Sequence, residues 1–454
     1  MPNWNGHYCR CREVLYDHRE PPPIEKQQSL SDEIEPWLSA LIQSEHLSLL
    51  VGNGLTRATA FGLGATAPSM DEVKFDCELE EKVNAHAKRT AEASGRGIKN
   101  IEDQLRSAQS LIEGLRISEA DEKGEPGPQT KKWMTAYNKA ITDLIASVIS
   151  TEQGIAAKHR EYGGGDPSGL LNFLLSFASR PPTRERLELF TINYDRLIEH
   201  ACDHLGIRLL DRFVGTINPQ FRASRVNVDL HFDPPGIRGE PRYLEGVARL
   251  TKLHGSLDWR LDDQNVTRIA LPFGPPDKFP TLADDPYRQV MIYPNAAKDV
   301  ETLAFPYAEL FRDFAAAVCR PNATLFVFGY SFGDDHINRI IRDMLSISST
   351  HLVVMSWDSC GGAEEDKDKP TPYVEGRLER FCRKAGHEDQ ITLLIGKHFA
   401  DLNTLTKRYL PRTLVEPIRK READVRESRP HDTQKPNTST SACASGGVSH
   451  DNAS

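Results

Sequence analysis

Three times along the chain an apolar run of strand length stops at a turn of small or polar residues and gives way to a helical pattern. The three are LSLLVGNGLT from Leu47 to Thr56, LELFTINYD from Leu187 to Asp195, and TLFVFGYS from Thr324 to Ser331. A run that is apolar throughout, rather than at every second position, belongs to a strand covered on both faces, as in a parallel sheet. HLVVMSWD (His351 to Asp358) and ITLLIG (Ile391 to Gly396) read as two more such strands, and VMIYPN (Val290 to Asn295) as a short one. Between them lie amphipathic helices. Leu197, Ile198, Ala201 and Leu205 share one face; so do Ile337, Ile340, Ile341, Met344 and Leu345, behind Asp334 as N-cap. Residues 301–319 read as another helix. Strands alternating with helices predict an α/β fold, a doubly wound parallel (Rossmann-like) sheet.

One stretch departs from that pattern. Residues 65–164 are rich in Glu, Lys, Ala and Gln. They carry a helical stripe at Ile101, Leu105, Ala108, Leu111, Ile112 and Leu115, then a second helical segment in KKWMTAYNKAITDLIASVIS. They predict a helical subdomain inserted into the α/β unit, which then comprises residues 31–64 and 165–412. Residues 1–30, broken by Pro21-Pro22-Pro23, read as irregular, with a helix opening at Ser31 that places Ile34, Trp37, Leu38, Leu41 and Ile42 on one face. The polar segment 413–454 reads as a disordered tail.

Bulk properties narrow the function classes. The 454 residues carry a formal charge of −9, which argues against a protein that coats nucleic acid. No apolar run is long enough to span a bilayer, and the N-terminus lacks the apolar core of a secretion signal, so a cytoplasmic location is expected. The eight cysteines are scattered without a CxxC pair and read as free thiols. His7, Cys9 and Cys11 cluster, but no second cluster completes a tetrahedral site; a mobile terminus is the expectation, and no metal. Neither G-x-S-x-G nor G-x-x-x-x-G-K-[ST] is present, which excludes the common serine-hydrolase and P-loop patterns.

The chemistry-bearing residues sit where strands end, the place where open parallel sheets bind ligands. Gly52-Asn53-Gly54-Leu55-Thr56 would let the backbone turn sharply and approach a pyrophosphate, although Arg57 stands where a dehydrogenase fingerprint needs its third glycine. Asn193 and Asp195 lie in T-I-N-Y-D; the ordinary role of such residues is to satisfy the next helix. His254, in L-H-G-S, has the near-neutral proton affinity that activating a water requires. In F-G-Y-S-F-G-D-D the glycine turn is expected to present Gly329, Tyr330 and Ser331 to a ligand, with Asp334 and Asp335 turned away because they would repel an anion. Asp358, at another strand end, could accept from ribose hydroxyls.

The order G-x-G-L-T, T-x-N-Y-D, strand-end H-G, F-G-Y-S-F-x-D-D-H-I resembles the sirtuin superfamily, in particular bacterial sirtuin-like proteins of antiphage defence, including those paired with HerA-type ATPases. The likeness covers residues 47–62 and 165–400. It implies an NAD+ site in which Gly52 to Thr56 hold the diphosphate and Asn193 lies beside the nicotinamide ribose. It further implies that Asp195 meets the carboxamide, His254 is the catalytic histidine, and Gly329 to Ser331 form the second phosphate and ribose loop. The paired cysteines of the deacylase zinc module are lacking, with only Cys319 in that stretch. The expectation is therefore an NAD+ hydrolase of abortive infection, homo-oligomeric, with a HerA-like ATPase as partner. An NAD-dependent deacylase or ADP-ribosyltransferase and a non-catalytic NAD or ADP-ribose sensor are the alternatives.

Overall fold

The computed structural model describes residues 7–67, 72–93, 99, 101–119, 124–163, 165–225, 228–232, 242–262, 265–275, 289–291, 305–357, 378, 381–382, 384 and 387–411. Among these, a nine-stranded sheet runs in the spatial order Val14–His18, His7–Arg10, Ile391–Ile395, His351–Ser356, Ala323–Phe328, His46–Val51, Glu188–Thr191, Val247–Lys252, Arg208–Leu210. The last seven are mutually parallel, and helices pack on the sheet. This is an α/β, Rossmann-like architecture.

The alternation along each strand explains why the runs are apolar throughout. Leu49 and Val51 enter one core layer while Leu50 enters the other; Phe326 and Phe328 join the first, Leu325 and Val327 the second. Both faces are covered, so neither offers a position where a polar side chain meets water.

Register carries the functional consequence. Val51 is level with Phe328 on one side and with Thr191 on the other, and Thr191 is level with Lys252. The turns that follow, at Gly52, Ile192-Asn193, Leu253-His254 and Gly329, therefore line one rim of the sheet. The strand order also reverses direction here: the chain runs outward from His46–Val51 through Glu188–Thr191, then returns to Ala323–Phe328 on the other side. Such a reversal opens a crevice beyond the carboxyl ends of the two diverging strands.

The N-terminus departs from the expectation of an irregular segment. His7–Arg10 and Val14–His18 form a hairpin that extends the sheet antiparallel to Ile391–Ile395. Tyr8, Cys9 and Cys11 are buried, so the two cysteines are core residues rather than part of a mobile terminus. Four-residue and five-residue strands are too short to announce themselves by periodicity. The following helix begins at Ile24, seven residues before Ser31, with Pro23 as its N-cap and Pro36 inside it. Proline is tolerated at a helix start because the amide it lacks has no partner there anyway.

The helices Glu80–Ala93, Ile101–Glu119 and Pro128–Glu161 surround a core of their own, with Trp133 at its centre. That core also takes in Tyr194 and Leu257 from the α/β unit. The expected strand-to-turn segment around His254 resolves into two strands, Val247–Lys252 in the main sheet and Gly255–Asp262 in a five-stranded second sheet. His254 stands at the crossing, where Gly255 takes the left-handed conformation, φ +81°. Of the expected strand Val290–Asn295, Val290 and Met291 fall in a strand of that second sheet, and residues 292–295 lie outside the described residues.

Candidate functional site

The two glycine turns meet over the switch point, and they meet as backbone. Gly52 N donates to the Phe328 carbonyl and Gly54 N to the Gly329 carbonyl, both at 3.0 Å. A Cβ on Gly54 would come within 2.5 Å of Gly329 Cα, and a Cβ on Gly329, φ +61°, would meet Gly54 Cα at the same distance. These glycines are required for the turns to touch. The amides of Gly52 and Gly54, in the turn expected to approach a pyrophosphate, already have carbonyl partners, since neighbouring parallel strands continue their pairing into the turns. Leu55 is buried in the core. What the first turn does present is Asn53, the exposed first residue of the helix Asn53–Leu63, together with Thr56 one turn on.

Beside it the T-I-N-Y-D turn builds a hydrogen-bond chain. The Asn193 side-chain amide donates to the Gly52 carbonyl at 3.0 Å and to Thr56 Oγ1 at 3.1 Å. The Thr56 hydroxyl donates to Asp195 Oδ2 at 2.7 Å, and Asp195 Oδ1 accepts from the Leu197 amide at 3.1 Å. Asn193 N is held by Thr191 Oγ1 at 3.0 Å. Both amide hydrogens of Asn193 are thus committed to protein, and its carbonyl oxygen is the atom it can offer a ligand. The ordinary role weighed for Asp195, satisfying the next helix, is present alongside its place in the site.

These groups line a cavity of about 750 Å³, its open mouth included. Outside the helical insert, Asn53, Thr56, Asn193, Asp195, His254 and Asp334 supply the polar lining, with Ile192 and Tyr194 between them. His254, 4% exposed, brings its Nε2 to 3.3 Å from Nε2 of His336. Asn193 and His254, separated by sixty residues of chain, therefore come together at one cleft.

The second glycine turn behaves differently from its reading. Tyr330 is 1% exposed, with its hydroxyl against the Asp334 carbonyl and Asn338 Oδ1, both at 3.1 Å. It is a core residue that braces the turn, and Gly329, Tyr330 and Ser331 are absent from the cavity lining. Asp334, read as turned away, lines the cavity instead. It occupies the N-cap of the helix Asp335–Leu345 but makes no side-chain cap hydrogen bond. Asp358 lies outside the described residues.

Sequence reasoning missed the far wall. Leu144, Ser147, Val148 and Thr151, all on the long helix Pro128–Glu161, close the cavity opposite the sheet rim. A buried ion pair fastens this helix down: Glu152 Oε2 meets the Arg196 guanidinium, and Glu152 Oε1 accepts from the Arg196 backbone amide at 2.9 Å. Arg196 directly follows Asp195, so the helix is tied to the same turn that carries the site. His336, the histidine of the F-G-Y-S-F-x-D-D-H-I run, comes close to His254 because the helix start lies on the rim, a placement that the motif alone does not show.

Residues 187–382 match the family model of the SIR2-like domain. That stretch is sirtuin-like. It contains Asn193, Asp195, His254 and His336, and it points to NAD-related chemistry, which a SIR2-like domain carries. The first glycine turn and the helical insert fall outside the sirtuin-like stretch. No curated protein matches the chain. No described helix is long and apolar enough to cross a membrane.

Proposed function

We propose that the chain hydrolyses NAD+ at the bond between nicotinamide and ribose, releasing nicotinamide, ADP-ribose and a proton. The observation that carries this reading is the convergence of Asn193 and His254 on one cavity at the topological switch point. Nicotinamide leaves as a neutral molecule from a cationic ring, so the transition state resembles an oxocarbenium ion. A protein then needs to bind the dinucleotide, place a water, and stabilise positive charge at the ribose.

The lining suits those tasks in order. The amino end of the helix Asn53–Leu63 favours an anion, and Asn53 stands there for the diphosphate. The Asn193 carbonyl oxygen would orient the ribose and the attacking water. His254 would accept the proton, from water or through a ribose hydroxyl, with His336 beside it. Asp195 and Asp334 would face the cationic end, where a carboxylate stabilises rather than repels. The apolar side chains of the insert helix would keep bulk water away from the reacting carbon.

In the cell, the resemblance to antiphage proteins supports a role in abortive infection, in which NAD+ depletion stops the host before the virus matures. It also supports assembly as an oligomer with a HerA-type ATPase that restrains or releases the activity.

The test is nicotinamide release from NAD+ by the purified full chain, alone and with a HerA-type ATPase, with and without an acylated peptide. Release that needs no peptide, and that is abolished in Asn193→Ala and His254→Ala, supports hydrolysis. Strict dependence on the peptide makes the protein a deacylase. Binding of NAD+ or ADP-ribose without release under any condition makes it a sensor.

A further inference from the structure

A second cluster of imidazoles lies away from the cavity. His200 and His204 stand one turn apart on the helix Leu197–Leu205, and His159 approaches them from the last turn of the insert helix Pro128–Glu161. One ring nitrogen from each of the three can be chosen so that all lie within 4.8 Å of one another. His159 Nδ1 and His200 Nε2 are 3.1 Å apart. Two nitrogens bound to one tetrahedral zinc at the usual bond length are separated by about 3.4 Å, so this pair is already at ligand spacing.

We propose that His159, His200 and His204 bind a divalent transition metal of the Zn2+ class, which ties the helical insert to the α/β unit. Three observations beyond proximity support it. His159 is 7% exposed, so water has little access to the Nδ1 that faces His200. The His200 ring is held flat against Phe273, with centroids 4.0 Å apart and planes 7° apart, which fixes its orientation as a ligand needs. His204 is exposed and lies edge-on to both His200 and His159, which leaves a side of the cluster open to water.

The donor set selects the metal. Three imidazoles suit Zn2+ and its neighbours, whereas Mg2+ and Ca2+ demand oxygen ligands. Three protein nitrogens also leave one tetrahedral position for water. The position gives the metal a mechanical meaning. His159 lies eight residues, about 12 Å, beyond Thr151 on the same helix, and Thr151 lines the cavity. On the other side, the helix that bears His200 and His204 starts two residues after Asp195. A metal there would clamp the cavity's far wall to its polar wall. The proposal does not depend on what the cavity cleaves.

The experiment uses the full chain stripped of metal by a chelator, then titrated with zinc alone. Bound metal is measured by elemental analysis after gel filtration, and the thermal midpoint is followed in parallel. The expected result is one zinc per chain in the wild type and a raised midpoint. Both are lost in His204→Ala, an exposed position whose change leaves the fold intact, and both are kept in His336→Ala, which alters the other histidine cluster. Failure of the folded wild type to retain zinc would overturn the proposal. So would zinc retention unchanged in His204→Ala, or retention lost only in His336→Ala. Zinc retention is measured without NAD+, so the site can fail while the NAD+ reading stands.

Discussion

The two walls of the cavity are built on opposite principles. The rim of the sheet supplies two amides, a hydroxyl, two carboxylates and an imidazole, positioned by strand register and, for Asn193, Thr56 and Asp195, by hydrogen bonds to one another. The helical insert supplies leucine, valine, serine and threonine from a single helix, held by one buried ion pair. Chemistry needs groups fixed to within fractions of an ångström, and adjacent strand ends fix them. Covering a site needs only shape and apolar surface, and a helix added between two strands provides that.

The contrast predicts that changes on the rim act on turnover and changes on the insert act on stability or affinity. The largest effects are expected for two rim variants, one of them Asn193→Ala, which removes both the carbonyl oxygen and the donors that hold Gly52 and Thr56. Nicotinamide release should fall by on the order of 100-fold or more with NAD+ binding largely retained, as read from single-turnover kinetics and calorimetry. His254→Ala should lower turnover by about 100- to 10,000-fold, the range for a lost general base, again with little change in the melting profile. If either variant instead loses its fold, the rim is a packing element and the contrast fails.

On the insert side, Glu152→Ala strands the Arg196 guanidinium without its carboxylate. Chemical denaturation should register a loss of about 3–5 kcal/mol. Reaction with substrate should then weaken through KM more than kcat. Gly54→Ala probes the seam between the two turns. Its Cβ has nowhere to go against Gly329, so stability should drop by roughly 1–3 kcal/mol, and activity with it. The smallest effect is expected for Val148→Ala, which trims the apolar wall and leaves the rim untouched. A rise in KM of a few-fold at constant kcat would sharpen the distinction between the walls; a selective fall in kcat would blur it.

The rim was legible because its signals are local. An apolar run followed by a glycine, asparagine or histidine turn marks a strand end wherever it occurs, and parallel register then brings the strand ends level. The insert's position over the cavity was not legible, because the stripe of Leu105, Ala108 and Ile112 shows that a helix buries one face without saying against what. Tyr330 and Asp334 were exchanged for a related reason. The turn was read by charge, which put the aromatic residue toward a ligand and the acid away, whereas the packing of the helix start put the tyrosine hydroxyl onto Asn338 and the carboxylate in the cleft. The N-terminal hairpin was hidden because it borrows its partner from Ile391–Ile395, at the far end of the chain.

The long helix has a mechanical consequence. Its 34 residues make a rod about 50 Å in length, and the residues that face the cavity run from its midpoint at Leu144 to Thr151, next to the Glu152 anchor. An anchored rod of that shape is a lever. A push on the insert's own core, into which Thr130 and Trp133 near the Pro128 end are packed some 35 Å from the pivot, reaches the cleft as a smaller displacement on the same rigid body. A large movement at the outer surface would thus be geared down to the sub-ångström adjustments that decide whether a water molecule fits beside a sugar.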